Sequence, residues 1–188
     1  MGYKKYAKDY ESEVYADIRG RLHTKAVYRG KLFRYKAPQD KVCRQLYLDG
    51  AVMLLAWAAL FGALCLNSGA GRTMYVVLPT VCCFLPMVYV SWSVITALMH
   101  KPPMKREFAD GVYDRRCSAG LLFLIFAGLS LAGYIVMLIL KRGALFLPED
   151  PIYGVLLLVL LFAAVFLFRR RNGLAVEEIK SENPAENA

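Results

Sequence analysis

Four long apolar blocks dominate the chain. Gly50–Gly71, Thr73–His100, Cys117–Leu140 and Pro151–Phe168 contain 22, 28, 24 and 18 residues, and none holds an Asp, Glu, Lys or Arg. A helix needs roughly 20 mainly apolar residues to cross the hydrocarbon core of a bilayer. The pattern therefore predicts an all-α polytopic membrane protein with four transmembrane helices, at 46–67, 75–99, 117–140 and 151–168, within a domain spanning 41–171. A polar segment over 1–40 precedes them and a polar tail over 172–188 follows.

In the polar segment, Tyr6, Tyr10, Val14, Ile18 and Leu22 recur every four residues, with Lys5, Lys8, Glu11, Asp17 and Arg19 between them. That spacing predicts a short amphipathic helix ending near Gly20. Over 26–35 the period changes, and β-branched and aromatic residues flank Arg29-Gly30-Lys31. The expectation there is a β-hairpin with Gly30 in a left-handed turn. Because an isolated hairpin is barely stable in water, it must lean on the membrane, on the loop over 101–116 or on another chain. Pro38 then breaks the chain and Asp40 is placed to cap the next helix. The tail is acidic and polar, which predicts disorder.

Tyr47, Tyr75 and Tyr153 fall at the expected interfaces, and Arg115-Arg116, Lys141-Arg142 and Arg169-Arg170-Arg171 fall at span ends. The second span carries Pro79 and Pro86, seven residues apart and so on one side of a helix. Together with Tyr89 and Ser93 they are a candidate hinge or ligand groove; the alternative is a static kink packed against its neighbours. Matching depths pairs Thr80 with Tyr134 and Thr96 with Ser118. Small residues at Ala58/Gly62, Ala59/Ala63 and Gly128/Ala132 permit close helix approach.

Composition adds orientation. Hydrophobic residues make up 57% of the 188 positions, mean hydropathy is +0.38, and 24 Lys and Arg against 15 Asp and Glu give +9. Residues 1–49 carry 12 of the cations, 101–116 five and the tail from Arg169 four, whereas the two other connections hold only Arg72, Lys141 and Arg142. The positive-inside rule puts both termini in the cytoplasm. Residues 1–49 are net +6 and the tail from Arg169 is neutral, so the basic N-terminal surface should face anionic headgroups. Lys31, Arg34, Lys36, Arg115 and Arg116 are the candidate contacts. No nucleic-acid-binding module accompanies the charge, which leaves membrane lipids, a protein partner or a second copy as partners. The five cysteines form no C-x-x-C pair and read as reduced, packed thiols.

Tyr28-Arg29-Gly30-Lys31-Leu32-Phe33-Arg34-Tyr35 at a glycine turn, four spans, and a central Met104-Lys105-Arg106-Glu107-Phe108 loop that continues to Tyr113-Asp114-Arg115-Arg116 resemble functionally unassigned four-span proteins of Gram-positive anaerobic bacteria. The resemblance implies a bacterial plasma membrane and transfers no catalytic residue.

Asp49 lies near the first turn of the first span at the inner interface, and no Asp, Glu, Lys or Arg lies deeper within the spans, which argues against a proton-driven pump. His23 and His100 belong to no metal motif. Glu107, Asp110 and Asp114 share a face if their loop is helical and could hold a divalent cation near a lipid phosphate. The basic residues around them favour ion-paired loop structure instead. The sequence thus points to a non-enzymatic accessory or scaffold subunit without cofactor or metal. A small oligomeric channel or permease is the alternative, and a lipid-modifying enzyme using the 101–116 loop is the second.

Overall fold

The structure, a computed structural model, describes residues 6–16, 22–100, 103–140, 149–170, 173 and 176–179. Among the described residues, four helical spans are long and apolar enough to cross a membrane, and the chain is a multi-pass membrane protein. The first is α1 (Gln39–Cys65). The second joins α2 (Met74–Cys82) to α3 (Phe84–Met99). The third is the 35-residue α4 (Arg106–Leu140) and the fourth is α5 (Glu149–Arg169). Three of the four outrun the apolar blocks because the polar residues before them are also helical. Asp40 lies inside the first turn of α1, where it favours the helix dipole; the N-cap is Pro38, with no side-chain cap.

The spans form a ring in which each packs on two others, α1 meeting α3 and α5, and α4 meeting α2, α3 and α5. Small residues set the closest approaches. Ala59 and Ala63 of α1 and Ala163 and Ala164 of α5 are buried, and a Cβ on Gly133 would come within 2.6 Å of the Tyr75 carbonyl oxygen. Gly128, by contrast, has nothing within 4 Å of its Cβ position. The interior is filled by large side chains, Leu60, Met87, Phe123, Met137, Tyr153, Leu157 and Leu160 all being fully buried.

The depth pairs are re-sorted. Thr80 donates to the Val76 carbonyl at 2.8 Å and faces the hydroxyls of Ser130 and, at 3.3 Å, Tyr153. Tyr134 instead donates to the Asp150 carbonyl at 2.9 Å. Thr96 and Ser118 do not pair: the Thr96 carbonyl faces His100 and Ser118 is exposed. At the opposite end of the bundle, beside Tyr134, Asp150 also accepts from the Ala70 amide at 3.2 Å, tying the loop after α1 to the start of α5.

The polar residues depart most from expectation. No amphipathic helix runs from Tyr6 to Leu22. After a single turn at Ala7–Asp9, Tyr10–Ala16 is strand β1, paired antiparallel with β2 (Leu22–Tyr28), Val14 opposite Thr24. The reason lies in the spacing. A four-residue repeat is two full strand periods as well as roughly one helical turn, and aromatic and β-branched residues with a partner strand decide for the sheet. Ile18 and Gly20 lie outside the described residues.

The hairpin is therefore β1–β2, not 26–35. Gly30 joins two sheets rather than turning one, and a side chain there would run into Asp9 and the Tyr28 ring at 2.7 Å. Strand β3 (Leu32–Tyr35) lies between β4 (Met104–Lys105) and β5 (Val176–Glu178), antiparallel to both. The disorder expected over 172–188 is thus overturned at 176–178, where the tail gains strand geometry by filling an open edge; 180–188 lie outside the described residues. Two spans separate β3 from β4, and two more separate β4 from β5. An even number of crossings returns the chain to the same side each time, so this sheet agrees with two spans in each interval.

Candidate functional site

The first candidate surface is the two-sheet platform. Tyr28 docks it: its ring meets Tyr10 edge-on at 5.2 Å, its hydroxyl donates to the Lys31 carbonyl at 2.7 Å and accepts from the Arg106 amide at 3.0 Å. That last bond satisfies one of the free N–H groups at the start of α4. Lys105 Nζ lies 5.3 and 5.4 Å from the Tyr10 and Tyr28 ring centres, in cation–π range. On the other sheet, Lys31 pairs with Glu178 at 2.9 Å and Arg34 with Glu177 at 2.7 Å. Two of the expected headgroup contacts therefore face the tail's own carboxylates, although both side chains stay exposed. Lys36 is exposed beside a cavity of about 370 Å³ lined by Tyr35, Pro38 and Glu177. Gln45 of α1 fastens the end of α5 by donating to the Arg170 carbonyl at 2.7 Å.

Beneath the platform lies a buried ion pair. Asp49 of α1 and Arg116 of α4 are 0% and 2% exposed and bonded through Arg116 Nη2 and Asp49 Oδ2. Arg116 is consequently no headgroup contact: it turns inward, and its attraction to Asp49 offsets part of its desolvation. Asp49 Oδ1 and Arg116 Nε and Nη1 have no partner among the described residues. Tyr35, Val42, Leu46, Ala97, Met104 and Val112 form the apolar cluster at this end. Burial pushes the Tyr35 phenol above its ordinary pKa of 10.0, with Cys43 adding to the rise and Arg116 opposing it.

The second candidate surface is the cleft between α3 and α4. Pro86 is buried and Tyr89 is exposed there, lining a cavity of about 310 Å³ with Leu85, Arg115, Ser118 and Leu122. Nearer the platform, Arg115 also lines a cavity of about 400 Å³ with Trp92, Thr96, His100, Glu107 and Phe108. The His100 ring stacks on Phe108 with centres 4.0 Å apart, and its Nδ1 is 3.0 Å from the Thr96 carbonyl. Arg115, next to Arg116 in sequence but about 100° round the helix, is exposed at the cleft.

The expected groove of Pro79, Pro86, Tyr89 and Ser93 is thereby split. Ser93 is buried and donates to the Val112 carbonyl at 2.8 Å, closing α3 against α4. Pro79 lies in α2, where its carbonyl accepts from the Cys83 amide at 3.2 Å, and a turn at Cys83 separates α2 from α3. Of the four, Pro86 and Tyr89 line the cleft cavity. Sequence reasoning missed the Asp49–Arg116 pair, although the two residues sit immediately before two of the four apolar blocks.

Glu107 and Asp110 are on the first turns of α4, as a helical loop requires. Asp110 accepts from the Tyr6 hydroxyl at 3.3 Å and lies 3.8 Å from Arg106; the Asp114 side chain lies outside the described residues. Among the described residues, no group of three His, Cys, Asp or Glu is placed to hold a metal ion. All five cysteines are free. No known protein family, curated protein or solved structure matches the chain.

Proposed function

We propose that the protein is a non-enzymatic accessory or scaffold subunit, holding a small β platform at the cytoplasmic face of a bacterial plasma membrane for a protein partner. One observation carries this reading. Strand β3 recruits β4 from the central loop and β5 from the tail, so three distant stretches of chain build one surface at one end of the bundle. A polar structure assembled from such separate pieces serves recognition better than topology, for which loose basic segments suffice. Among the described residues the adjoining β1–β2 hairpin has two strands, and Val14 and Leu22 stand 64% and 76% exposed. Open strand edges of this kind accept further strands.

The cation distribution supports platform and termini inside, since the opposite orientation would translocate most of the Lys and Arg. The packed interior and the spent hydroxyls of Thr80 and Ser93 give no support to a path through a single copy. Photo-crosslinkers placed at Val14 and Thr24 in cells test the reading. A discrete protein adduct from these positions, absent when the label is at Leu54 on the lipid side of α1, is the expected result. Absence of any adduct from the hairpin refutes it. Orientation is tested separately with a membrane-impermeant maleimide on intact cells, which should label Asn67→Cys and spare the exposed Cys43.

A further inference from the structure

We propose that the α3–α4 cleft holds one acidic phospholipid of the surrounding leaflet, with the phosphate on Arg115 and an acyl chain against Leu85, Pro86 and Leu122. The inference rests on the spans crossing the bilayer and is independent of any protein partner. Arg115 has no hydrogen-bond or ion-pair partner among the described residues, while its neighbour Arg116 is committed to Asp49. It lies two residues before the 24-residue uncharged run of α4, at the depth where hydrocarbon gives way to headgroups.

Side chains on a helix lean toward its N-terminus, which for α4 is the platform end. The structure shows this directly: a Cβ on Gly111 would lie 3.9 Å from Arg115 Cζ. The guanidinium thus snorkels one turn outward over Gly111, toward phosphate level. From there the cleft descends about 10 Å along α4 to Leu122. It is open sideways to the bilayer, Leu85, Tyr89 and Leu122 being 62%, 51% and 45% exposed.

The lining changes character at Arg115. Below it are Leu85, Pro86, Ala119 and Leu122; beside it are the hydroxyls of Tyr89 and Ser118; above it are His100 and Glu107. That order matches chain, phosphate and headgroup in turn. Arginine's planar fork suits two phosphate oxygens at once. Glu107 at the mouth repels a second anionic group but accepts from hydroxyls, which favours a polyol headgroup such as glycerol. A choline headgroup neutralises the phosphate that carries it, which weakens its net attraction to Arg115, and has no hydroxyl to offer Glu107.

The test is native mass spectrometry of the full chain released from nanodiscs of phosphatidylcholine containing a minor fraction of phosphatidylglycerol with the same acyl chains. The wild type should retain one phosphatidylglycerol in preference to phosphatidylcholine. Arg115→Gln should lower that preference roughly tenfold, Arg115→Lys should lower it less, and Leu122→Trp, which fills the cleft from its lipid side, should abolish retention of both lipids. Arg44→Gln, an exposed cation of α1 at the same end of the bundle, should change nothing. Retention unaltered in Arg115→Gln and Arg115→Lys, equal loss in Arg44→Gln, or displacement by soluble glycerol phosphate would each overturn the proposal. Unchanged far-ultraviolet circular dichroism and an unchanged unfolding midpoint establish that each variant is folded.

Discussion

Removing one partner of the Asp49–Arg116 pair should be among the most damaging single changes available in this protein. Both side chains are withdrawn from solvent, at 0% and 2% exposure, so Arg116→Met leaves a carboxylate and Asp49→Leu leaves a guanidinium without a counter-charge. Breaking a buried pair in this way costs about 3–5 kcal/mol. The pair itself is far from optimal, because Asp49 Oδ1 and two of the three guanidinium nitrogens have no partner among the described residues. Replacing both members with apolar residues of similar volume should therefore cost little, and such exchanges elsewhere range from neutral to a gain of about 1–4 kcal/mol. The double variant Asp49→Leu/Arg116→Met should accordingly recover at least ~3 kcal/mol relative to either single change. Equilibrium unfolding in mixed micles of mild detergent and dodecyl sulfate provides the measurement. Trp57, which stacks on Phe61 and donates to Ser91 at 3.0 Å, reports on the α1–α3 contact. Single variants within about 1 kcal/mol of wild type, or a double variant as unstable as their sum, would refute this account, since coupled neighbours should not be additive.

Tyr35→Phe should leave stability unchanged or slightly raised near neutral pH, because the buried hydroxyl has no hydrogen-bond partner among the described residues. The raised phenol pKa means that Tyr35 contributes stability below its unfolded value of 10.0, and that this is lost as pH rises through the higher folded value. Alkaline melting curves should show the loss in wild type and not in the phenylalanine variant. Gly133→Ala should force α4 away from the Tyr75 carbonyl, at a cost of about 1–3 kcal/mol by the same unfolding assay. Glu177→Lys/Glu178→Lys should release the tail to limited proteolysis while leaving the unfolding of the spans within about 1 kcal/mol of wild type, since the two ion pairs it reverses are exposed.

The spans are legible because a bilayer imposes a one-dimensional rule, a length without charge, and four blocks obey it. The polar part follows no such rule. Tyr10, Val14 and their neighbours satisfy two periodicities at once, and the partner strand that decides between them is a separate choice. The pairing of Phe33 with Met104 on one side and Glu178 on the other is invisible to any local window. Arg115 and Arg116 look alike as a basic doublet at a span end. A rotation of about 100° sends one to the surface and the other to Asp49, and only the placement of α1 diagonally across the ring from α4, with Asp49 facing inward, reveals which. In the second span, packing likewise buries Ser93 and leaves Tyr89 outside, although one helical turn separates them.

The middle position of β3 fixes an order of events during biosynthesis. Its two flanking strands leave the ribosome after the second and the fourth spans, so the surface cannot be finished until the last span is in place. A nascent or truncated chain exposes a bare strand there instead. A partner of the kind proposed, reading the completed surface, would thereby also register that insertion has ended.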